Sequence, residues 1–351
     1  MSGKVRCAVV GCGVIGAVHA GLLSEMAHAE LVACCDIIPE RAAEFSRRFG
    51  IPRATTDYAE LLADPDVDSV TVCTPHYLHS PMVVEAARAG KHVLVEKPLA
   101  TDAAGASQAV AACRQHGVRL GVCLQNRMNP ASVQVLRAIE RGLLGRVLLV
   151  TGEVLWYRGD EYYTGSPWRG RWATEGGGVL INQAIHTLDL VALFGGGVRS
   201  VSARVETLGH DTIEVDDIAS VVLDFQPGGV GSFVATTCAF HGSPVRIEVL
   251  GTLGSAAIVG EELVRFETKD GRNQPPAVDE GNGRLAAHGK DYYGSSHGLV
   301  IEDYIAAIRE GRDPLIPGEE GIKSVEILDA IYKAAKTHHE QAVAAPVAAR
   351  P

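Results

Sequence analysis

Three things are scarce in this chain, and each scarcity closes off a class of protein. Positive charge is the first: 32 lysines and arginines face 42 aspartates and glutamates, a formal net charge of −10. No basic stripe marks a nucleic-acid surface, although a local arginine can still meet an anionic substrate. Long apolar runs are the second, since none approaches the ~20 residues that a membrane helix requires. Metal-ligand spacing is the third: the eight cysteines form no zinc pattern. Cys7, Cys12, Cys73 and Cys123 sit in or beside apolar runs, where a small buried thiol is the ordinary reading. No metal is expected. No signal peptide opens the chain, so a reducing, cytoplasmic setting is expected.

Glycine is plentiful, at 39 residues, and much of it stands at loop positions that look specified. A length of 351 residues favours two domains. Lys4 to Val10 is an apolar run that ends at Gly11-Cys12-Gly13-Val14-Ile15-Gly16. A helical pattern comes next, then a second apolar run from Leu31 to Cys35, closed by Asp36. Gly11 suits a tight turn, Gly13 the approach of a pyrophosphate, and Gly16 close packing of helix on strand. The helix N-terminus offers free N–H groups to phosphates. Asp36, 20 residues beyond Gly16, suits a ribose diol. Its carboxylate would repel a 2′-phosphate, so NAD is favoured over NADP. Arg41 argues the other way, but it falls in the first turn of a helix and reads as solvated.

The alternation continues. Helical patterns at 39–48, 57–62, 78–89 and 102–116 separate apolar runs at 68–73, 91–95 and 118–124. Repeated strand–helix units imply a parallel sheet, with ligands beyond the carboxyl ends of its strands. Thr74-Pro75-His76, Glu96-Lys97-Pro98 and Gln125-Asn126-Arg127 occupy such ends. From 146 the periodicity changes: 146–157, 198–208, 216–225, 229–240, 244–250 and 254–259 read as strands, with helices at 179–194, 299–310 and 319–336. A sheet with helices on one face is expected, its other face covered by a second subunit in a dimer or tetramer. Residues 262–297 read as a long excursion, a lid or subunit arm, and 342–351 as a frayed tail.

Several segments, in this order, resemble the glucose–fructose oxidoreductase/inositol dehydrogenase family, Gfo/Idh/MocA. They are the glycine loop, Thr74-Pro75-His76-Tyr77-Leu78-His79, Glu96-Lys97-Pro98, Trp168-Arg169, Gly176 to Asp189, His297 to Tyr304, and Pro314 to Gly321. The resemblance implies an α/β chain: an N-terminal Rossmann domain (1–125), then an α/β domain with a large, mostly antiparallel open-faced sheet (126–340) and a tail (341–351). It implies NAD(P)-linked oxidation or reduction of a sugar, polyol or related alcohol. Lys97 corresponds to the family lysine and His186 to its histidine. Many members carry aspartate where this chain has Asn182. His79 belongs by resemblance to the cofactor-side loop.

On a continuous helix, Asn182 and His186 would share one face ~5–6 Å apart, and Asp189 would touch the far side of His186 or cap a neighbouring element. An unperturbed histidine titrates near ~6.5 and a lysine near ~10.4, so a neutral Lys97 requires its pKa to fall by about 3.4. The less demanding assignment makes His186 the general base and Lys97 the cation that stabilises the developing alkoxide. An aspartate at 182 would favour the imidazolium, whereas Asn182 is expected only to hydrogen-bond substrate.

The expected cofactor contacts are Gly11, Cys12, Gly13, Val14, Ile15, Asp36, Thr74, Pro75, His79, Glu96, Lys97 and Gln125. The expected substrate contacts are Lys97, Arg127, Tyr157, Trp168, Arg169, Asn182 and His186, with Tyr162, Tyr163 and His297 as weaker candidates. Lys97 and His186 are expected to meet over the nicotinamide, between the domains. The expected activity is an NAD-dependent dehydrogenase acting on a secondary hydroxyl of a sugar, glycoside or polyol, with carbon 3 a candidate position. A nucleotide-sugar dehydrogenase, a sugar-sensing regulator and a hydrolase working by transient oxidation are the alternatives.

Overall fold

The computed structural model describes residues 3–278 and 296–344. These fall into two compact units, each discontinuous in sequence. One takes the chain up to 125 and again at 296–322; the other takes 126–278 and 323–344. The sequence suggests a single crossing near 125. The structure instead brings a late helix back into the first unit, where His297 and Tyr304 are buried and the Tyr304 hydroxyl meets that of Ser69 at 2.7 Å.

The first unit runs β1 (Val5–Val10), α1 (Val14–Glu25), β2 (Ala29–Cys35), α2 (Pro39–Phe49), β3 (Arg53–Thr55), α3 (Tyr58–Ala63), β4 (Ser69–Val72), α4 (His76–Arg88), β5 (His92–Glu96), α5 (Ala103–Gln115) and β6 (Leu120–Cys123). Its six strands are all parallel in the order β3-β2-β1-β4-β5-β6. β4 and β6 are buried along their whole length, as strands covered on both faces must be. The strand order reverses between β1 and β4, the switch point where open α/β sheets bind ligands.

The second unit begins with α6 (Pro130–Glu140), β7 (Val147–Leu155), α7 (Asp160–Thr164), α8 (Trp172–Glu175), α9 (Val179–Asn182) and α10 (Ile185–Phe194). It continues through β8 (Val198–Glu206), β9 (Ile218–Phe225), β10 (Val230–Thr236), β11 (Arg246–Gly251), β12 (Gly254–Val259) and β13 (Glu262–Thr268). The chain returns through α11 (His297–Glu310) of the first unit and α12 (Gly318–Thr337), and closes the sheet edge with β14 (Gln341–Ala342). The eight strands lie in the order β13-β12-β11-β7-β10-β9-β8-β14, antiparallel except for the β7–β10 pair.

Alternation puts Ala219, Val221, Leu223 and Phe225 of β9 into a core shared with α6, α10 and α12. α10 lies directly on β7. A Cβ at Gly152 would stand 2.7 Å from Val191 and 2.8 Å from Phe233, so glycine there permits the close approach. The opposite face is mixed rather than apolar. Register aligns Val222, Ser232, Thr151, Glu248, Ala257 and Arg265 across it, and Arg265 pairs with Glu248.

Two readings of the second half need correction. Residues 262–268 form the edge strand β13, not an excursion, and 279–295 lie outside the described residues. At the end of the chain, Gln341 and Ala342 pair with β8 rather than fraying, and 345–351 lie outside the described residues.

Candidate functional site

In the first unit the glycine loop is shaped by the backbone around it. Gly11 has φ 92°, and a Cβ there would come within 2.6 Å of the Cys73 carbonyl; a Cβ at Gly16 would strike the Gly11 carbonyl. Gly13 meets nothing within 4 Å. It is the N-cap of α1 and makes no side-chain cap. The loop therefore leaves open space in front of uncapped helix N–H groups, which is what a pyrophosphate requires. Asp36 accepts from the N–H groups of Cys12 at 2.9 Å and Ile38 at 3.0 Å. Beside it Val14 and Ile37 stand 60% and 86% exposed, apolar surface that an adenosine would cover. Arg41 is not simply solvated, because its guanidinium lies 3.6 Å from Asp36.

The loops after β4 and β5 are tied to each other. His79 is buried, with Nδ1 2.6 Å from the Pro98 carbonyl and Nε2 2.8 Å from that of Thr74. Burial holds its pKa below the ordinary histidine value, against the pull of both carbonyls. Its place is thus inside the loop framework that presents Thr74 and Lys97. Pro75 caps α4, and Gln125 is buried just past β6.

Glu96 turns inward. Its Oε1 lies 2.8 Å from Nε2 of His19 and 3.5 Å from Nε2 of His297, and its Oε2 accepts the Lys97 N–H at 3.2 Å. Burial opposes ionisation, but the two histidines outweigh it and hold the carboxyl well below its usual range. Glu96 and His297 therefore meet each other, and the group anchors the backbone of Lys97. The sequence gives no sign of His19 in this role, because the contact spans 77 residues.

In the second unit the run of glycines serves Asp216. The Asp216 side chain accepts from Gly178 N–H at 2.6 Å, Leu180 N–H at 2.9 Å and the Tyr332 hydroxyl at 3.0 Å. A Cβ at Gly178 would strike the Asp216 carbonyl, and one at Gly177 would strike the Tyr332 hydroxyl. The segment beyond these glycines is not one helix. Ala184 N–H reaches back five residues to the Val179 carbonyl at 2.8 Å, and the axis bends by 54° before α10. Such a widened turn often marks a functional position in a helix. Between Val179 and Ala192, Asn182 and His186 are the two side chains that are not buried.

Asn182 has a partner that sequence reasoning misses. Its Nδ2 donates to Glu175 Oε1 at 2.5 Å and to the Tyr162 hydroxyl at 3.3 Å. Glu175 is fully buried and also accepts the Gly170 N–H at 2.5 Å. Burial pushes its carboxyl up to about 7, although those hydrogen bonds and Arg169 oppose the rise. A carboxyl group therefore stands behind residue 182, one hydrogen bond back from its amide.

Asp189 neither backs His186 nor caps an element. It holds Arg127 in a bidentate pair, both contacts at 2.7 Å, and accepts from Ser324 at 2.8 Å. The Arg127 fork expected on substrate is thus engaged within the protein. Tyr157 stacks edge-on against Phe240, ring centres 5.3 Å apart. Tyr163 donates to or accepts from Thr237 at 3.1 Å inside the core. Trp168 and Arg169 are brought to Tyr162, with the Arg169 guanidinium 4.2 Å from the Tyr162 ring centre and 5.2 Å from that of Trp168.

Comparison with known proteins agrees with both units. Residues 5–124 match the GFO/IDH/MocA oxidoreductase family with an NAD-binding Rossmann fold, and 133–257 match the GFO/IDH/MocA C-terminal domain. The chain is 28% identical to scyllo-inositol 2-dehydrogenase (NAD(+)) of Bacillus subtilis (strain 168), over 93% of each chain. Among solved structures it is similar to the WlbA dehydrogenase of Bordetella pertussis in complex with NADH and UDP-GlcNAcA. That likeness has TM-score 0.86 and 32% identity, covering 97% of this chain and 99% of that one. It is also similar to levoglucosan dehydrogenase in complex with NADH and levoglucosan, with TM-score 0.85 and 27% identity over 97% and 100% of the two chains.

Proposed function

Because the chain belongs to the GFO/IDH/MocA oxidoreductase family, we propose that it is an NAD-dependent dehydrogenase oxidising a secondary hydroxyl of a sugar, glycoside or polyol. One observation carries this reading: in an otherwise buried helical stretch, Asn182 and His186 are the side chains left accessible. Burying every other residue from 179 to 192 while keeping an amide and an imidazole accessible is the arrangement of a reactive face, not of a packed core histidine.

His186 takes the hydroxyl proton as general base. Lys97, its backbone fixed by Glu96, orients the hydroxyl and stabilises the developing alkoxide. Asn182, held by Glu175 and Tyr162, positions the sugar. Bound NAD supplies the hydride acceptor. Gly13, the uncapped start of α1 and Asp36 are the residues that would hold it, and the Asp36 carboxylate favours NAD over NADP.

A second reading, a nucleotide-sugar dehydrogenase, is favoured by the 32% identity to the WlbA dehydrogenase. Free thiols at all eight cysteines fit a reducing, cytoplasmic setting. Val222 and Val230, 50% and 43% exposed on the outer sheet face, support a homodimer or homotetramer through that face.

The test is NADH absorbance across a panel of inositols, glycosides and nucleotide sugars, each with NAD and with NADP. Stoichiometric NADH from a sugar or polyol is expected. Saturable NAD binding with no reduction by any member would contradict the reading, and sugar cleavage without net NADH would point to a hydrolase.

A further inference from the structure

Asn182 is held by one end of its amide. Nδ2 meets Glu175 Oε1 at 2.5 Å and the Tyr162 hydroxyl at 3.3 Å. A side-chain amide has two hydrogens on its nitrogen and two lone pairs on its oxygen. With Nδ2 directed at these two groups, Oδ1 is the end that Asn182 can turn to a ligand, and it can only accept. The partners decide this orientation, because an amide can turn over in place, exchanging oxygen for nitrogen.

Both partners can hold either orientation. An ionised Glu175 only accepts, so it takes the amide nitrogen. A protonated Glu175 still accepts the Gly170 N–H on Oε2 at 2.5 Å, and its proton on Oε1 donates to the amide oxygen instead. The Tyr162 hydroxyl adapts likewise, accepting from Nδ2 in one state and donating to Oδ1 in the other, while Gln183 Nε2 donates to it at 3.0 Å. Glu175 is fully buried, which pushes its carboxyl up to about 7, so both states are populated near neutral pH. The ionisable groups that face it do not fix one state. Arg169 favours the carboxylate and Asp216 opposes it. Tyr162 and Tyr163 of α7 and Tyr332 of α12 stay neutral, each pushed up by burial.

We propose that Glu175 is a positioning residue that decides, by holding or releasing a proton, which end of the Asn182 amide meets the sugar. With Glu175 ionised, Oδ1 faces the sugar and receives the O–H of the hydroxyl to be oxidised. With Glu175 protonated, Nδ2 faces it and donates to a carbonyl oxygen, which has no hydrogen to give. A proton on Glu175 therefore shifts the site from the alcohol towards the keto product, in the same sense as a proton on His186. The proposal rests on the reading of Asn182 and His186 as the reactive face.

Glu175→Gln separates the two states. The glutamine oxygen takes the Gly170 N–H, since an NH2 there would set two buried donors against each other. Its NH2 then donates to Asn182 Oδ1 and locks Nδ2 outward. Adding Asn182→Asp restores a side chain that only accepts. Wild type, Glu175→Gln and the double variant are compared at pH 6 and pH 8 on myo-inositol, methyl β-D-glucoside and UDP-glucose. The readouts are kcat/KM with NAD and calorimetric titration of the same sugars in the presence of NADH. At pH 8 Glu175→Gln should lose tenfold or more in kcat/KM, the loss should be several-fold smaller at pH 6, and the double variant should regain most of it. Melting temperature and NADH binding show that the variants are folded. Infrared difference spectra of wild type between the two pH values need no variant: a protonated-carboxyl band should be lost as pH rises. Its absence overturns the proposal, as does an equal loss at both pH values, no loss at pH 8, or a double variant no better than Glu175→Gln. Sugar binding that follows the expected pattern without NAD reduction would uphold Glu175 and sink the dehydrogenase reading. Turnover that is lost in His186→Ala but indifferent to Glu175→Gln would do the reverse.

Discussion

Two buried carboxyl groups, Glu96 and Glu175, are driven in opposite directions by their neighbours. Glu96 sits between two histidines and stays ionised; Glu175 has mainly amide and backbone donors to set against its burial, and retains its proton up to about 7. The signs of their pH dependence differ accordingly. The carboxyl of Glu96 is depressed in the folded state, so its contribution is present above the usual carboxylate range and is lost as pH falls through it. Glu175 is raised from 4.5 to about 7, so its contribution is full below 4.5 and is lost as pH rises towards 7. The rise of about 2.5, at ~1.36 kcal/mol for each pKa unit, bounds the cost of ionising it at roughly 3 kcal/mol. Glu175→Gln should therefore be more stable relative to wild type at pH 8 than at pH 5, measured by urea unfolding. The same offset at both pH values would show that Glu175 does not titrate in this interval. The sequence brings Lys97, Asn182 and His186 forward as candidates because they stand in recognisable order. It hides Glu175, whose importance lies in hydrogen bonds to Gly170 and Asn182 that no periodicity encodes.

Among the elements, the glycine loop separates folding from cofactor binding. Gly16 has a carbonyl where a Cβ would go, whereas Gly13 has open space. Gly13→Ala should keep stability within ~1 kcal/mol of wild type, as a change without steric conflict does, yet weaken NAD binding tenfold or more, because the added methyl occupies the phosphate approach. Gly16→Ala should lose both. Fluorescence titration with NADH alongside thermal unfolding reads the two quantities, and NAD binding unchanged in Gly13→Ala would move the cofactor away from this loop. The strand–helix alternation before residue 125 is readable because apolar runs and helical periods alternate, and three of the helix-to-strand turns carry a glycine with positive φ, Gly50, Gly90 and Gly117. The break between α9 and α10 is not readable: Gln183 and Ala184 are ordinary helix formers, and the break comes from Ala184 N–H bonding to Val179. β13 is hidden for a similar reason. Its residues Glu262 to Thr268 break strict alternation at Leu263-Val264 and run straight into a stretch rich in Gly, Asp, Asn and His, so they merge with it as loop, although charge at a sheet edge guards against edge pairing.

For the whole molecule, the outer sheet face combines exposed valines with charged residues, as a subunit contact with a polar rim does. Light scattering should give a mass at least twice the 37.1 kDa of one chain, and Val222→Glu with Val230→Glu should lower it. A monomeric wild type would leave that face without the assigned partner. The late return of the chain through α11 is invisible to a reading that cuts domains by sequence order, because His297 and Glu96 meet across some 200 positions. The central claim is that His186 moves the proton while Lys97 stabilises the charge that develops. The most direct measurement is kcat for NAD reduction in wild type, His186→Ala and Lys97→Ala, on whichever sugar the panel identifies. NADH affinity is checked to show that the cofactor site survives. The expected result is a loss of roughly 10²–10⁴-fold in kcat for His186→Ala, the usual contribution of a positioned general base, and a comparable loss for Lys97→Ala, with NADH binding retained. Full activity in both variants would contradict it.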